Sequence, residues 1–401
     1  MTNRTQSEDR QGELHVLMLP SFYHTPQQRY SGTFFRDWAW ALQRVGVRVG
    51  IAYVEGRSLR GFSLRALSET HFQTTSAVEV GLPTVRLKGW NTLAQWTAGG
   101  LVWARLAQHV IHEYMERHGR PDMIAAQSAT WGGQAAWLAK RHWGLPYVIT
   151  EVNTGFGTGS VRGWQAALTR RAFAKAEAVV AISENLRTRL MQLGGASHVE
   201  VIPCTVDESY WTVPPRPRAS DPFTFYAQAH LTPRKGLDIL IRAFARTFRG
   251  DVTVRLVIGG GGDGAISDGL AALAQSTGVQ SQVSFLGAIP RDAVREAMWA
   301  ANCFVLPSHA ENFGVVLIEA LSTGLPVIST RCGGPEDIVD DKVGILLRPG
   351  DEQGLADALS TIRSKPAHDP QATRAWANAR YGYAAVGPQL RNLYCRALGK
   401  P

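Results

Sequence analysis

Short apolar runs alternate along this chain with stretches whose apolar positions recur every three or four residues, the pattern of buried strands followed by amphipathic helices. Residues 14–19 (LHVLML) form the first such run. Residues 33–46 (TFFRDWAWALQRVG) follow, with Phe34, Trp38, Leu42 and Val45 on one face of a helix that Gly46 ends. A strand is expected at 47–54, another at 83–87, and a long helix over 93–118. Strands at 123–126, 147–150, 178–182 and 199–203 follow, with a helix starting at Ser183-Glu184. Residues 151–156 read as an exposed loop. Residues 213–222 (VPPRPRASDP) hold four of the twenty prolines and no apolar period, which marks a linker. The pattern then restarts. Strands are expected at 223–227, 254–258, 283–286, 303–307 and 327–330. One helix opens at Lys235-Gly236 with Leu237, Leu240, Ile241 and Phe244 on one side, a second covers 315–321, and the tail at 351–362 and 376–398 is helical.

Strands alternating with helices predict an α/β protein built on parallel sheets. Two such halves around a linker imply a cleft, and ligands of these folds bind outside the carboxyl ends of the strands. Lys235, Gly287 and Glu311 each follow an expected strand, so they should converge there.

At 401 residues, with 45% hydrophobic and 19% charged, the chain has the size and composition of a two- or three-domain globular protein. No apolar run reaches the roughly 18–20 residues of a membrane span. The first residues, MTNRTQSEDRQGE, read as a polar leader without a signal-peptide core, so a cytoplasmic location is the expectation. The four cysteines form no C-x-x-C pair and read as free thiols. The eleven histidines show no metal-ligand spacing, and no metal or cofactor is expected. The net charge of +9 is concentrated in residues 1–205, where 22 Lys and Arg face 14 Asp and Glu. Nine of twelve tryptophans lie between Trp38 and Trp164. This basic, aromatic half rests on an anionic membrane surface, giving a peripheral location on the inner face of the plasma membrane, or holds a phosphorylated or sugar acceptor, or is arginine-rich solvation over a Trp-rich core. No nucleic-acid motif is present, and nucleic acid is not an expected partner.

The richest stretch is 303–337, CFVLPSHAENFGVVLIEALSTGLPVISTRCGGPED. It reads as strand, polar turn, helix, strand, turn, with Gly324 and Pro326 ending the helix. Glu311 and Glu319 stand in it with seven residues between them. A carboxylate inside VVLIEAL is costly unless something polar receives it. The helix start at Phe313-Gly314 offers N–H groups and a positive dipole end that can hold a diphosphate. Acids beside it can accept hydrogen bonds from diols, a combination that suits a sugar nucleotide. Taken on spacing alone, a core salt bridge and a solvated loop acid explain the two glutamates more simply, since spaced carboxylates are common.

The string Pro307-Ser308-x-x-Glu311-Asn312-Phe313-Gly314-x-x-x-x-Glu319-Ala320, followed by Gly324-x-Pro326-Val327-Ile328 and Gly333-Gly334, closely resembles the donor-binding signature of retaining glycosyltransferases of the GT-B fold (family 4, group 1 type). The resemblance extends through Pro121-Asp122, Ser128-Ala129-x-Trp131-x-Gly133 and Gly144-x-Pro146-x-Val148-x-Thr150-Glu151. It implies two Rossmann-like β/α/β domains facing a central cleft. Residues 1–207 would hold the acceptor and 208–379 the donor, with 380–401 crossing back to the first domain. It also implies metal-independent, retaining transfer from a UDP- or GDP-linked sugar to a glycan or lipid-linked acceptor. Glu311 and Lys235 would carry the catalytic roles. Glu319 would bind ribose. Asn312, Phe313 and Gly314 would hold sugar hydroxyls and phosphates, His230 or Arg234 would assist Lys235 at the diphosphate, and Leu286-Gly287 would meet the base through the backbone. Gly32, after Ser31, stands where relatives carry a glycine turn near the phosphates; a glycine that merely starts a helix explains it as well.

Two departures stand out. Residues 229–236 (AHLTPRKG) resemble a G-R-L-x-x-x-K-G segment, but Ala229-His230 replaces Gly-Arg. The histidine that many relatives carry in the first half is absent from Ala125-Ala126-Gln127-Ser128 and from Thr150-Glu151-Val152-Asn153, which leaves Gln127, Glu151 and Asn153 as acceptor-side candidates and His24 as a substitute. These losses keep open two alternatives, a catalytically degenerate sugar-nucleotide-binding scaffold of a polysaccharide assembly complex and a GT-B epimerase. Gly259-x-Gly261-x-x-Gly264 satisfies a dinucleotide pattern but has no acidic residue about twenty positions on, and reads as a flexible loop.

Overall fold

The computed structural model describes residues 13–24, 32–57, 72–90, 97–157, 159, 161–364 and 369–400. The polar leader, Ser31 and the first residues of the helix expected from 93 lie outside them.

The first half is one eight-stranded sheet. Its strands are β1 His15–Pro20, β2 Arg48–Arg57, β3 Gln73–Glu79, β4 Leu82–Trp90, β5 Met123–Gln127, β6 Tyr147–Glu151, β7 Ala178–Ala181 and β8 Glu200–Val201, in the order β3-β4-β2-β1-β5-β6-β7-β8. All pairs are parallel except β3 with β4. The second half is an all-parallel six-stranded sheet in the order β11-β10-β9-β12-β13-β14. Its strands are β9 Phe223–Gln228, β10 Val254–Gly259, β11 Val283–Gly287, β12 Cys303–Leu306, β13 Val327–Thr330 and β14 Gly344–Leu347. Each sheet reverses its winding once, between β1 and β5 and between β9 and β12, and the crevices of such folds open at those points.

The apolar runs become strands because both faces are covered. Along β9, Phe225 packs into the core under the Leu237–Phe248 helix, and the next residue, Tyr226, packs into the core shared with the first half. In that helix Leu237, Leu240, Ile241 and Phe244 are buried as their spacing requires, while Asp238 and Arg242 pair on the outside at 2.7 Å. The strand β3 has no apolar alternation to announce it. QTTSAVE lies mostly exposed and is held by its ladder to β4.

Two loop readings are corrected. Residues 151–156 are not an exposed loop: Glu151 ends β6 with 0% exposure, Val152 and Phe156 are buried, and Thr154–Gly157 makes a helical turn. The backbone N–H groups of Ala129, Val152 and Asn153 donate to the Glu151 carboxylate at 2.8, 2.9 and 2.8 Å, which draws this segment inward. The glycine run at 259–262 is not a loose loop either. Ala229 N–H donates to Gly259 O and Leu231 N–H to Gly261 O at 3.1 and 2.8 Å. A Cβ on Gly260 would lie 1.7 Å from Ala229 O, so these glycines serve close approach.

The chain returns to the first sheet at its end. The Tyr383–Ala397 helix packs along the Thr33–Arg44 helix, and Lys400 pairs with Asp122 at 2.8 Å. The Thr33–Arg44 helix therefore buries more than one stripe. Phe35, Asp37, Trp38, Ala39, Ala41 and Leu42 are inside, while the expected Phe34 and Val45 are only half-buried at its margins.

A candidate active site between the two sheets

The strand β12 delivers the 307–314 turn to the cleft. Glu311 is held there by its backbone: its N–H donates to Cys332 O at 3.1 Å, and Gly334 N–H donates to its carbonyl at 2.9 Å. Gly333 makes this approach possible. It sits at φ 130°, and a Cβ would meet Glu311 O at 2.4 Å. The Glu311 carboxylate accepts from the Ser308 hydroxyl at 2.8 Å and pairs with the ammonium of Lys235. Lys235 comes from the single turn Pro233–Lys235 that follows β9, so the two residues beside the winding reversal meet in one ion pair. The Asn312 amide donates to Val152 O of the first half at 2.9 Å, a direct bond across the cleft. Phe313 is core, edge-on to Tyr381 at 6.0 Å between ring centroids, so only its backbone faces the site.

Gly314, at φ 101°, opens the Val315–Ser322 helix, and no side chain caps that helix start. The first N–H groups of an uncapped helix are an anion site. One turn on stands Glu319, its side chain 18% exposed. Burial pushes its carboxyl up to about 7, against the pull of Arg291, whose guanidinium lies 4.0 Å away. Arg291 also binds Asp37 at 3.3 Å, and the Tyr383 hydroxyl donates to Asp37 at 2.8 Å. Burial pushes the Asp37 carboxyl up as well, with Arg291 again opposing. Asp37 and Arg291 carry no motif. The one local signal is the carboxylate in the apolar string FFRDWAWAL, which resembles Glu319 in its own helix.

Around this centre, Leu286 is exposed at the end of β11, and Gly287, at φ 63°, accepts from Gly260 N–H at 2.8 Å. His230 is exposed just past β9. Arg234 is half-buried and lines a small pocket with Glu311, Asn312, Ala310 and Cys332 from the second half and Thr154, Asn185 and Arg189 from the first. Of these, Arg189 also has no motif; the Glu184–Leu193 helix brings it across.

The acceptor-side candidates are not equivalent. Gln127 ends β5 at 1% exposure, and neither atom of its amide has a partner among the described residues. Asn153 is half-buried, its side-chain oxygen accepting from Gly155 N–H at 2.8 Å. Glu151 is the fully buried loop anchor described above. His24 lies 3.4 Å from Glu79, and its ring sits tilted against that of Tyr23 with the centroids 4.3 Å apart. At Gly32, φ 66°, a Cβ would meet Phe22 O at 2.6 Å, a packing reason for the glycine that starts the helix. Among the described residues no cluster of His, Cys, Asp and Glu could hold a metal ion. No helix among them is long and apolar enough to cross a membrane.

Comparison with known proteins now bears on this cleft. The model of the family "Glycosyl transferases group 1" matches residues 213–380, and that of "Glycosyl transferase 4-like domain" matches residues 31–205. The chain is 30% identical over 319 residues to a D-inositol 3-phosphate glycosyltransferase of Streptosporangium roseum, covering 71% of this chain and 72% of that protein. It belongs to the group 1 glycosyltransferases. A putative teichuronic acid biosynthesis glycosyltransferase of Bacillus subtilis is 25% identical over 89% of this chain and 91% of its own length. Among solved structures, sucrose-phosphate synthase from Thermosynechococcus elongatus superposes with a TM-score of 0.76 at 19% identity, covering 96% of this chain and 99% of that one. HepE of Anabaena, solved with UDP and glucose, gives 0.72 at 21% identity over 96% and 100% of the two chains. These likenesses establish the GT-B fold of this group 1 glycosyltransferase: two α/β halves of mainly parallel strands, each presenting the carboxyl ends at its winding reversal to the cleft between them.

Proposed function

We propose that this glycosyltransferase moves a sugar from a UDP- or GDP-linked donor to a hydroxyl of a glycan or lipid-linked acceptor, with retention at the anomeric carbon and without a metal. The observation that carries the reading is the Lys235–Glu311 ion pair set beside the uncapped start of the Val315–Ser322 helix. Cation and helix N-terminus together offer a diphosphate two independent sources of positive potential.

In this reading the donor's β-phosphate lies against Lys235, Arg234 and the N–H groups after Gly314, with His230 at the rim. Glu319 accepts hydrogen bonds from the ribose, and the base meets the backbone at Leu286-Gly287. Glu311 and the Asn312–Gly314 backbone take the transferred sugar's hydroxyls. As the bond from C1 to the phosphate oxygen breaks, its electron pair stays on the diphosphate. The acceptor oxygen bonds C1 on the same face, and its proton passes to the departing phosphate. Such a step needs no histidine in the first half, and Gln127 and Asn153 remain to orient the acceptor. Glu151 is spent on three backbone donors and anchors the loop instead. The UDP and glucose in the Anabaena neighbour, and the glycosyltransferase names of the relatives, support a nucleotide-sugar donor.

Calorimetric titration with UDP and with GDP, in metal-free buffer, tests the donor site. Micromolar binding of one is expected, and binding of neither would overturn the reading. The donor chosen this way should be hydrolysed slowly without acceptor. A scaffold would leave it intact, and an epimerase would alter the sugar while keeping it on the nucleotide.

A further inference from the structure

The Glu319 carboxylate accepts no hydrogen bond from any described residue, and Arg291 is the one cation within ion-pair distance of it among them. The separation of 4.0 Å matters. At that distance the guanidinium supplies Coulombic attraction yet occupies none of the carboxylate's acceptor positions. Arg291 stays back because it is held elsewhere. Asp37 takes both terminal nitrogens at 3.3 to 3.5 Å, and the rings of Tyr210 and Trp211 lie 4.9 and 5.4 Å from the guanidinium carbon. Asp37 is fixed in turn by the Tyr383 hydroxyl. The anchors belong to the Thr33–Arg44 helix, the 210–211 segment and the returning Tyr383–Ala397 helix, none of them local to Glu319 in the chain.

We infer that Arg291 is a positioning residue for the donor's ribose: it aims the Glu319 carboxylate with its acceptor positions open, and Asp37 and Tyr383 hold Arg291 at the distance that keeps them so. The inference rests on the reading of Glu319 as the ribose contact. It makes ribose binding in the second half depend on how the first half and the returning helix are seated against it.

The test compares UDP with 2′,3′-dideoxy-UDP by calorimetry, and GDP with its dideoxy form, in wild type, E319Q, R291Q, R291K and D37N. Wild type should prefer the ribose form by at least about tenfold, the scale of a hydrogen bond to a charged group. In R291Q that preference should fall towards one while dideoxy affinity is kept, and R291K should be intermediate. D37N retains the Tyr383 contact and the packing. With the countercharge gone, Arg291 moves onto Glu319 and the preference falls. Equal weakening of both ligands in R291Q, or an unchanged preference in R291Q, R291K and D37N, would overturn the inference. A wild type without preference, or E319Q retaining it, would instead remove the ribose assignment itself.

Discussion

Lys235 and Glu311, 76 residues apart in the chain, form an ion pair whose side chains are 15% and 9% exposed. A pair this enclosed cannot lose one member without leaving the other's charge uncompensated, at a cost of about 3–5 kcal/mol. Lys235→Ala and Glu311→Ala should each lower the melting temperature and cut donor turnover by at least about a hundredfold. The double variant should melt higher than the sum of the two losses predicts, because no stranded charge remains. Thermal melts and initial rates of sugar-nucleotide consumption check both parts. Unchanged turnover in both single variants would remove the pair from the site.

Glu319 should make donor binding depend on pH. Its carboxyl, ordinarily at 4.5, is pushed up to about 7 by burial, with Arg291 only partly compensating. Ribose hydroxyls donate most strongly to the anion, so UDP or GDP affinity should be full above about 7. It should weaken by up to about tenfold per pH unit below that. Measured against E319Q, the nucleotide's own titration cancels. Stability runs the other way. The folded state holds this proton more tightly than the unfolded chain, so the favourable contribution is complete below 4.5 and is lost as pH rises to about 7. Denaturant melts should therefore move in favour of E319Q over that window, by about 3 kcal/mol at most.

Gly333 should tolerate no side chain. At φ 130°, with Glu311 O 2.4 Å from where a Cβ would stand, Gly333→Ala must push the two loops apart. A loss of about 1–3 kcal/mol is expected, together with weaker nucleotide binding, because the same contact seats Glu311. Denaturant melts and nucleotide titrations on one preparation would check it. An alanine variant with unchanged melting and binding would show that the loop is not fixed from this side.

Glu151 separates structure from chemistry. Its carboxylate satisfies three backbone N–H groups inside the first sheet. Glu151→Ala should cost about 2–3 kcal/mol of stability, since buried donors are left without an acceptor. Nucleotide affinity in the folded fraction should fall far less than in Lys235→Ala, since the carboxylate itself lies in the other half from Lys235 and Glu319 and reaches the site only through Val152, which accepts from Asn312. A selective loss of nucleotide binding with unchanged stability would return Glu151 to the ligand.

Much of this molecule follows from local pattern. The runs at 14–19, 303–306 and 327–330 are strands because few other arrangements bury such runs on both faces, and the helix from Leu237 buries the stripe its spacing sets out. The 303–337 string located the cleft from residues close together in the chain. Tertiary structure alone decided the rest. Glu151 was expected at the surface and lies in the interior, because its three donors come from two segments that meet only after β5 and β6 pair. The glycines at 259–262 are made necessary by the backbone at 229–231, a neighbour about thirty residues away, and not by their own sequence. Lys235 and Glu311 could each be named as candidates from local sequence, but their pairing could not, and Arg291, Asp37 and Arg189 left no motif at all. The physical reason is common to these cases: periodicity and turn chemistry act over a few residues, whereas charge pairing and close backbone approach are fixed by which distant segments the two sheets and the returning helix bring within a few ångströms.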